Sequence, residues 1–326
     1  MLGKRKRKET PVKLRNNLLT IFVLSICSST FAQAQSNFTT AVSGFDTIIN
    51  LPEDPLNPNP FGFSGNSIGN NVEISSNTLL NVSNGSSVGT SLIVIDSTVN
   101  ISGGTVGESF QTSGDSTINI SGGTVGDLRV AFGSVANITE GTIGPLNVEF
   151  GAVNISGGSI GDFSQSLVGT VNISGGTVGD NFAALDGSTV NISGGTIGNF
   201  FNADFGSTIN ISGGTIGSDF TANSEVNIFG TEFFLNGNPL NDLILGQATG
   251  IFDLDEAGVL TGSLADGSSF EFDLIDDPNF QAIGSINSAA ALTVTLVAVP
   301  EPGSGLTLAT ISVFLLSRRR KKTLRS

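Results

Sequence analysis

The nine-residue phrase V-N-I-S-G-G-T-V-G occupies residues 99–107 and returns along the middle of the chain at a nearly constant spacing. Close copies read I-N-I-S-G-G-T-V-G at residues 118–126 and A-N-I-T-E-G-T-I-G at residues 136–144. The asparagines of the full and degenerate copies follow one another at intervals of 17–19 residues: Asn81, Asn100, Asn119, Asn137, Asn154, Asn172, Asn191, Asn210 and Asn227. Self-similarity at this period predicts a stacked array of short units rather than a globule around one cleft.

Each copy alternates apolar and polar residues with the period of a half-buried strand. Val99 and Ile101 alternate with Asn100 and Ser102, so the two aliphatic side chains share one face. The glycine pair at residues 103–104 then predicts a corner, because glycine adopts left-handed backbone conformations without a steric penalty. The next three residues predict a second short strand.

A third segment of each unit carries bulky apolar residues, which we expect to complete a coil of about three sides with about six residues each. We predict that these side chains join the core: Leu128, Val130, Phe132, Leu146, Val148, Phe150, Phe163, Leu167, Phe182, Leu185, Phe201 and Phe205.

Stacking would pair every strand with its equivalents in the coils above and below, at about 4.8 Å per coil. The sequence therefore predicts an all-β fold, a parallel β-helix (solenoid) of about 8–9 coils with 17–19 residues per coil. An antiparallel β-sandwich is the alternative, although that fold would not require the same amino-acid sequence in every unit. A period of 18 is compatible with a left-handed helix, whereas the variation between 17 and 19 favours a right-handed one.

The segments that flank the repeats divide the chain further. Residues 35–76 are rich in Asn, Pro, Gly and Ser and predict an irregular N-terminal segment or a loose cap, followed by the repeats over residues 77–230. Residues 231–298 predict a C-terminal β cap, with hairpin turns at Asn236-Gly237 and Asp266-Gly267.

Residues 1–34 have the three parts of a secretory signal peptide. A basic region precedes a short apolar run over residues 18–27, and Ala32 and Ala34 give a small-x-small cleavage site. A transmembrane anchor is the weaker interpretation because the apolar run has only about ten residues, and a membrane span needs about 20.

The last 28 residues contain a second targeting signal. Val299, Pro300, Glu301 and Pro302 precede an apolar stretch over residues 303–317, which predicts a C-terminal transmembrane helix, and a basic cluster follows that contains Arg318, Arg319 and Arg320. This order resembles the PEP-CTERM sorting signal of Gram-negative bacteria. The resemblance implies export, membrane retention through the tail, and recognition by an exosortase before transfer to the cell surface or an extracellular polysaccharide matrix.

The charge balance excludes one class of partner. Between Gln35 and Pro302 the chain has 27 acidic residues and one basic residue, Arg129, which gives a net charge of −26. Such a surface repels nucleic-acid phosphates, so we expect no nucleic-acid partner. It also repels anionic polysaccharides unless divalent cations bridge the two surfaces.

The same region lacks His, Cys and Lys, which excludes Ser–His and Cys–His triads, Schiff-base chemistry and ordinary zinc sites. We therefore expect no enzymatic activity and no catalytic residues. The alternative is a polysaccharide-active β-helix enzyme, a lyase or glycosidase, with the acid cluster of Asp253, Asp255 and Glu256 as its site or Arg129 as its base.

The asparagine column has two interpretations. Stacked amides can hydrogen-bond along the column and serve structure alone, or they can form a flat polar face that binds sugars. The column comprises Asn100, Asn119, Asn137, Asn154, Asn172, Asn191 and Asn210. A regular threonine column beginning at Thr105 and Thr124 raises ice binding as a further alternative.

A column of acidic residues follows the second short strand at Glu108, Asp127, Asp162, Asp180 and, one place later, Asp219. Asp162 and Asp180 lie on adjacent coils, where their oxygens could share a Ca²⁺ ion. The alternative is that these are turn aspartates that face water. We expect no other cofactor.

Together these features predict a non-enzymatic, exported protein that is anchored or sorted through its C-terminal signal and acts as a structural or adhesive module at the cell surface or in the extracellular matrix. The expected partners are the export machinery, an exosortase, the membrane and extracellular polysaccharide.

Overall fold

The computed structural model describes residues 47–50, 62–63, 67–68, 70–75, 78–251, 258–275, 284–287 and 291–298. The predicted signal peptide with Ala32 and Ala34, the acid cluster at residues 253–256 and the whole sorting signal lie outside the described residues. The described chain is an all-β parallel solenoid of about nine turns, which confirms the predicted architecture. Within the described ranges, no helix has the length and hydrophobicity needed to cross a membrane.

The strands fall into two alternating series after a short N-terminal group. The N-terminal group is β1 (Thr47–Asn50), β2 (Gly62–Phe63), β3 (Ser67–Ile68), β4 (Val72–Ser75), β5 (Leu79–Val82), β6 (Ser87–Val88) and β7 (Leu92–Ile95). The long strands are β8 (Thr98–Val106), β10 (Thr117–Val125), β12 (Val135–Ile143), β14 (Ala152–Ile160), β16 (Thr170–Val178), β18 (Thr189–Ile197) and β20 (Thr208–Ile216). The short strands are β9 (Phe110–Ser113), β11 (Leu128–Ala131), β13 (Leu146–Glu149), β15 (Gln165–Leu167), β17 (Ala183–Ala184), β19 (Asn202–Ala203) and β21 (Thr221–Ala222).

Each long strand supplies two sides of a coil because it turns at the glycine pair without losing its strand pairing. The register shifts locally at this corner, between Ile120 and Thr124 for example. Gly104 has φ +74°, and a Cβ there would lie 2.4 Å from the carbonyl oxygen of Ser86 in the preceding coil. Both the left-handed backbone and the close contact therefore require glycine.

The register of the stack is the one that the repeat predicts. Asn100 pairs with Asn119, Asn119 with Asn137, and the same equivalence continues to Asn227. The aliphatic residues on either side of each asparagine point inward and are at most 2% exposed, from Leu80 to Ile228. Buried aliphatic columns therefore run the length of the solenoid.

The short strands form the third side, and their inward positions change in volume along the stack. Leu128 and Val130 occupy these positions in one coil and Leu146 and Val148 in the next. Further along, Phe182, Phe201 and Phe220 stack with ring centroids 4.9–5.2 Å apart, and each is followed two residues later by a buried alanine. A large residue beside a small one keeps the core volume of each coil nearly constant.

The prediction that all the bulky residues of the third segment are buried was wrong for four of them. Phe132, Phe150, Phe163 and Phe205 are 52–73% exposed, and Leu167 and Leu185 are half-buried. Phe132, Phe150 and Phe163 have left-handed backbones, with φ between +47° and +59°. They lie at corners, where the chain turns and the alternation that directs side chains inward is interrupted.

The repeat ends in β22, and the chain then leaves the solenoid and returns to it. The later strands are β22 (Glu225–Leu235), β23 (Asn238–Pro239), β24 (Ala248–Gly250), β25 (Gly258–Leu264), β26 (Ser269–Ile275), β27 (Ser285–Asn287) and β28 (Leu292–Leu296). The predicted turns at residues 236–237 and 266–267 each join antiparallel strands, β22 to β23 and β25 to β26. β27 then pairs in parallel with β21, and β28 with β22, so the returning chain adds one more layer to two sides of the stack.

One coil places two serines at the inward positions of the third side. Ser164 is 2% exposed, and its hydroxyl donates to the carbonyl of Gly161 at 2.9 Å and accepts from the Leu146 amide at 3.0 Å. Ser166 is fully buried, and its hydroxyl makes no hydrogen bond. A buried hydroxyl without a partner loses its hydration and gains nothing in return.

The two serines give a matched test of this packing. We expect Ser166→Ala to raise the free energy of unfolding by about 1 kcal/mol, since it removes an unsatisfied polar atom. We expect Ser164→Ala to lower it by about 1–3 kcal/mol, because it leaves the Leu146 amide without its acceptor. Equilibrium urea unfolding of both variants measures the difference, and equal effects would contradict the assignment of the two environments.

Candidate functional site

The asparagine column forms a continuous chain of side-chain hydrogen bonds. In each coil from Asn100 to Asn227, the amide nitrogen Nδ2 donates to the Oδ1 of the asparagine in the preceding coil, at distances of 2.7–3.0 Å. All eight bonds run in the same direction, because every amide has the same orientation. We call this chain the amide ladder. The structure therefore places all seven asparagines of the predicted surface column in one ladder, partly buried between neighbouring side chains.

The last acceptor of the amide ladder is satisfied by the returning chain. Thr293 of β28 pairs with Asn227, and its hydroxyl donates to the Asn227 Oδ1 at 2.6 Å. This contact could not be predicted from the repeat, because Thr293 lies 66 residues from Asn227 and outside the repeat. A hydroxyl can end the ladder because it donates one hydrogen bond and needs no further amide above it.

The ladder lies in the centre of a flat outer surface, which we call the asparagine face. It comprises the outward residues of the first half of each long strand, as in Thr170, Asn172 and Ser174. From β8 to β20 these side chains carry no charge. The serine hydroxyls of this face donate to backbone carbonyls of the preceding coil at 3.2–3.4 Å. Much of the hydrogen-bonding capacity of the face is therefore used within the stack.

The second half of the long strands presents the threonine column that the sequence indicated. Exposed residues lie in register at Thr105, Thr124, Thr142, Ser159, Thr177, Thr196 and Thr215. Each coil contributes a single hydroxyl flanked by the glycine corner and an inward aliphatic residue. This side therefore presents one row of hydroxyls instead of a two-dimensional lattice.

The acidic column forms a second set of bonds between coils. Asp162 Oδ1 accepts from the Asp180 amide at 2.9 Å, and Asp180 Oδ1 accepts from the Asn199 amide at 2.7 Å. Asn199 continues the series by accepting from the Ser218 amide at 3.0 Å. These bonds place Asn199 and Ser218, rather than Asp219, in the column, and they show that a neutral amide fills the same role as a carboxylate.

Asp162 and Asp180 thus lie on adjacent coils, as expected, with one oxygen of each already bonded to a backbone amide. Across the described residues, no group of three or more His, Cys, Asp or Glu side chains is placed to hold a metal ion. Calcium at this pair is consequently a hypothesis that rests on the two remaining carboxylate oxygens and the repulsion between the two charges.

The outer surface of the third side carries the one arginine between Gln35 and Pro302. The Arg129 guanidinium forms a two-pronged ion pair with Glu149 of the next coil, with Nε 3.1 Å from Oε1. This hydrogen bond lowers the pKa of Glu149 and raises that of Arg129. The Arg129 guanidinium carbon also lies 6.0 Å from the ring centroid of Phe132, which stacks on Phe150 at 5.8 Å. Arg129 is therefore neutralised by its partner and held against an aromatic pair.

A groove of about 660 Å³ opens where the chain leaves the solenoid. It lies between the second half of β20 and the β25–β26 hairpin, and Ile216, Phe234 and Phe270 provide much of its apolar lining. Asp266, at the tip of this hairpin, accepts from the Gly214 amide at 2.8 Å. Burial opposes ionisation of Asp266, but hydrogen bonds from Ser268 and Gly214 outweigh it and lower its pKa. The hairpin thereby covers the glycine corner of the last regular coil.

Comparison of the chain with protein-family models, with curated proteins and with solved structures finds no match.

The orientation of the amide ladder predicts a pH-dependent variant. In Asn154→Asp, the carboxylate can accept from Asn172 but has no hydrogen to donate to the Asn137 Oδ1. The missing hydrogen bond disfavours the charged carboxylate in the folded state alone, so folding raises the pKa of this Asp. Above that raised pKa, the variant shows its full loss of stability. Below the ordinary Asp pKa of about 3.9 the carboxyl is protonated, the donor returns and the loss disappears.

Thermal unfolding of Asn154→Asp and the wild type at about pH 7 and about pH 3.5, on either side of that pKa, measures this effect. Asn154→Ala serves as the control, since it lacks donor and acceptor at every pH and should lose about 1–3 kcal/mol throughout. A pH-independent deficit in Asn154→Asp would contradict the ladder.

Calcium binding is tested by the paired variant Asp162→Asn with Asp180→Asn. Asn199 shows that an asparagine preserves the bond between coils, so the variant should fold with an unchanged or slightly higher midpoint because the charge repulsion is removed. If calcium bridges the pair, millimolar Ca²⁺ raises the wild-type midpoint and leaves the variant unaffected. A wild-type midpoint that calcium does not move removes the hypothesis.

Proposed function

We propose that this chain is a non-enzymatic, exported rod that acts as a structural and adhesive element at the cell surface or in the extracellular matrix. The observation that carries this proposal is the in-register stack of about nine turns, which arranges the outer residues of successive coils in continuous columns. Repeated surfaces of this kind suit extended polymers, whereas a catalytic site requires a local departure from the repeat.

Export and sorting rest on the two terminal segments. The basic and apolar residues before Ala32 and Ala34 support secretion, and residues 299–326 support retention in the membrane and recognition by an exosortase. The predicted C-terminal β cap would have a protective role in this setting, because it would shield the open strand edges of the last coil from other chains.

The residue composition supports a binding role over catalysis. The region between Gln35 and Pro302 has no His, Cys or Lys, and its one arginine is paired with Glu149. A base of the kind that a polysaccharide lyase uses is therefore already engaged in an ion pair. Extracellular polysaccharide is the proposed partner, and the charge of −26 disfavours nucleic acid.

The adhesive function is tested by incubating the full chain with neutral polysaccharides (cellulose, mannan) and anionic ones (alginate, polygalacturonate). We expect the protein to be retained on at least one of them with no shortening of the polymer. Sedimentation measures retention, and size-exclusion chromatography of the polymer measures cleavage. Release of shorter chains would identify an enzyme instead, and failure to bind any of the four would contradict adhesion.

A further inference from the structure

Among the described residues, five phenylalanines are exposed on the surface, in a chain that has no Trp and no Tyr. Phe132, Phe150, Phe163, Phe200 and Phe205 are 49–73% exposed. All but Phe205 also have a left-handed backbone, as does the 43% exposed Val168, whose φ of +52° is unusual for a β-branched residue. Apart from Phe205, these residues therefore combine exposed apolar area with backbone strain, and neither property stabilises the isolated rod.

The fold does not require aromatic residues at these corners. The corner that Phe132 and Phe150 occupy is taken in preceding coils by Asp96, with φ +48°, and by Gly114. The corner that Phe163 and Phe200 occupy is taken in the intervening coil by Asn181, with φ +60°. Asn, Asp and Gly adopt left-handed conformations more readily than Phe or Val. The phenylalanines consequently need a reason outside the folding of the coil.

The exposed aromatic residues lie along both edges of the third side, over the five coils that contain β11, β13, β15, β17 and β19. We call this surface the aromatic face. Phe163 and Phe200 lie on one edge, and Phe132, Phe150 and Phe205 on the other. Between the edges, the outward residues include the amides of Asn147 and Gln165, the half-buried Leu167 and Leu185, and the neutralised Arg129–Glu149 pair.

The dimensions and charge of the aromatic face decide what fits it. Five coils at about 4.8 Å and a side of about 15 Å give a flat area of about 360 Å², whereas a stable protein interface buries about 800 Å² per partner. A second copy would also bring together two molecules whose residues 35–302 each carry a net charge of −26. The same repulsion disfavours an anionic polymer.

We propose that the aromatic face is the binding site for a neutral polysaccharide. Pyranose rings have apolar C–H faces that pack on phenylalanine rings, and their hydroxyls find donors and acceptors in Asn147 and Gln165. A polymer that crosses several coils meets these groups repeatedly. This inference rests on the adhesive function proposed above and assigns it to the third side instead of the asparagine face.

The test uses the full chain with the double substitution Phe163→Asn and Phe200→Asn. Asn181 shows that asparagine fits this corner, so the variant should keep or raise the thermal midpoint. We expect its retention on cellulose or mannan to fall at least tenfold, since two of the five exposed rings along the face would be lost. The control, Ser174→Ala with Ser193→Ala, alters the asparagine face and should bind as the wild type does.

Each outcome has a distinct meaning. Wild-type retention that survives in the phenylalanine variant, or that is lost in the serine control, overturns the aromatic face and leaves the adhesive function standing. Absence of any wild-type retention overturns the function itself. Sedimentation with uncharged phosphatidylcholine vesicles provides the remaining comparison: binding to vesicles instead of glycan, lost with the two phenylalanines, would overturn polysaccharide as the ligand.

Discussion

In-register parallel stacking is the constraint on which the rest of the molecule depends. A coil of 17–19 residues cannot bury its own apolar side chains, so it is stable only when the same residue types lie above and below it. The amide ladder makes this register specific. A displacement by one residue would place an aliphatic side chain opposite an amide, breaking the chain of hydrogen bonds and turning the core outward at the same time. The returning strand β28 continues this logic beyond the repeat, because Thr293 donates to the last asparagine.

The sequence was sufficient for the parts of the fold that repeat. The asparagine spacing gave the coil length and the register, and the alternation around Asn100 gave the inward residues of the long strands. The third side could not be predicted as well, because its inward positions vary between Leu, Val, Ser, Phe and Ala, and its strands shorten from four residues to two. Hydrophobicity alone assigned Phe163 to the core, whereas the structure buries Ser164 and Ser166 there instead. A left-handed phenylalanine leaves no signal in the sequence, because Gly and Asn are the residues that mark such corners.

The candidate surfaces were predicted unevenly for the same reason. The repeated sequence was enough to predict the asparagine and threonine columns. The acidic column was predicted except for Asn199 and Ser218, which replace the carboxylate with other polar groups. The Arg129–Glu149 pair could not be found from the repeat, because the two residues lie 20 positions apart and occupy different places in their coils. Contacts between side chains that occupy different positions in neighbouring coils can be identified only from the three-dimensional structure.

The regularity that makes a surface visible in the sequence also explains why it need not be the binding surface. Each asparagine from Asn100 to Asn227 donates one hydrogen bond and accepts one within the stack, so a ligand on that face would meet amides that already use part of their hydrogen-bonding capacity. The phenylalanines at the corners, by contrast, are not required by the stack. They bring backbone strain and exposed apolar area, both of which Asn or Asp would avoid at these corners. In a solenoid the repeated residues maintain the fold, and departures from the repeat that bring no gain in stability are the positions at which recognition is expected. By that argument the third side, the least regular of the three, is where adhesion is expected.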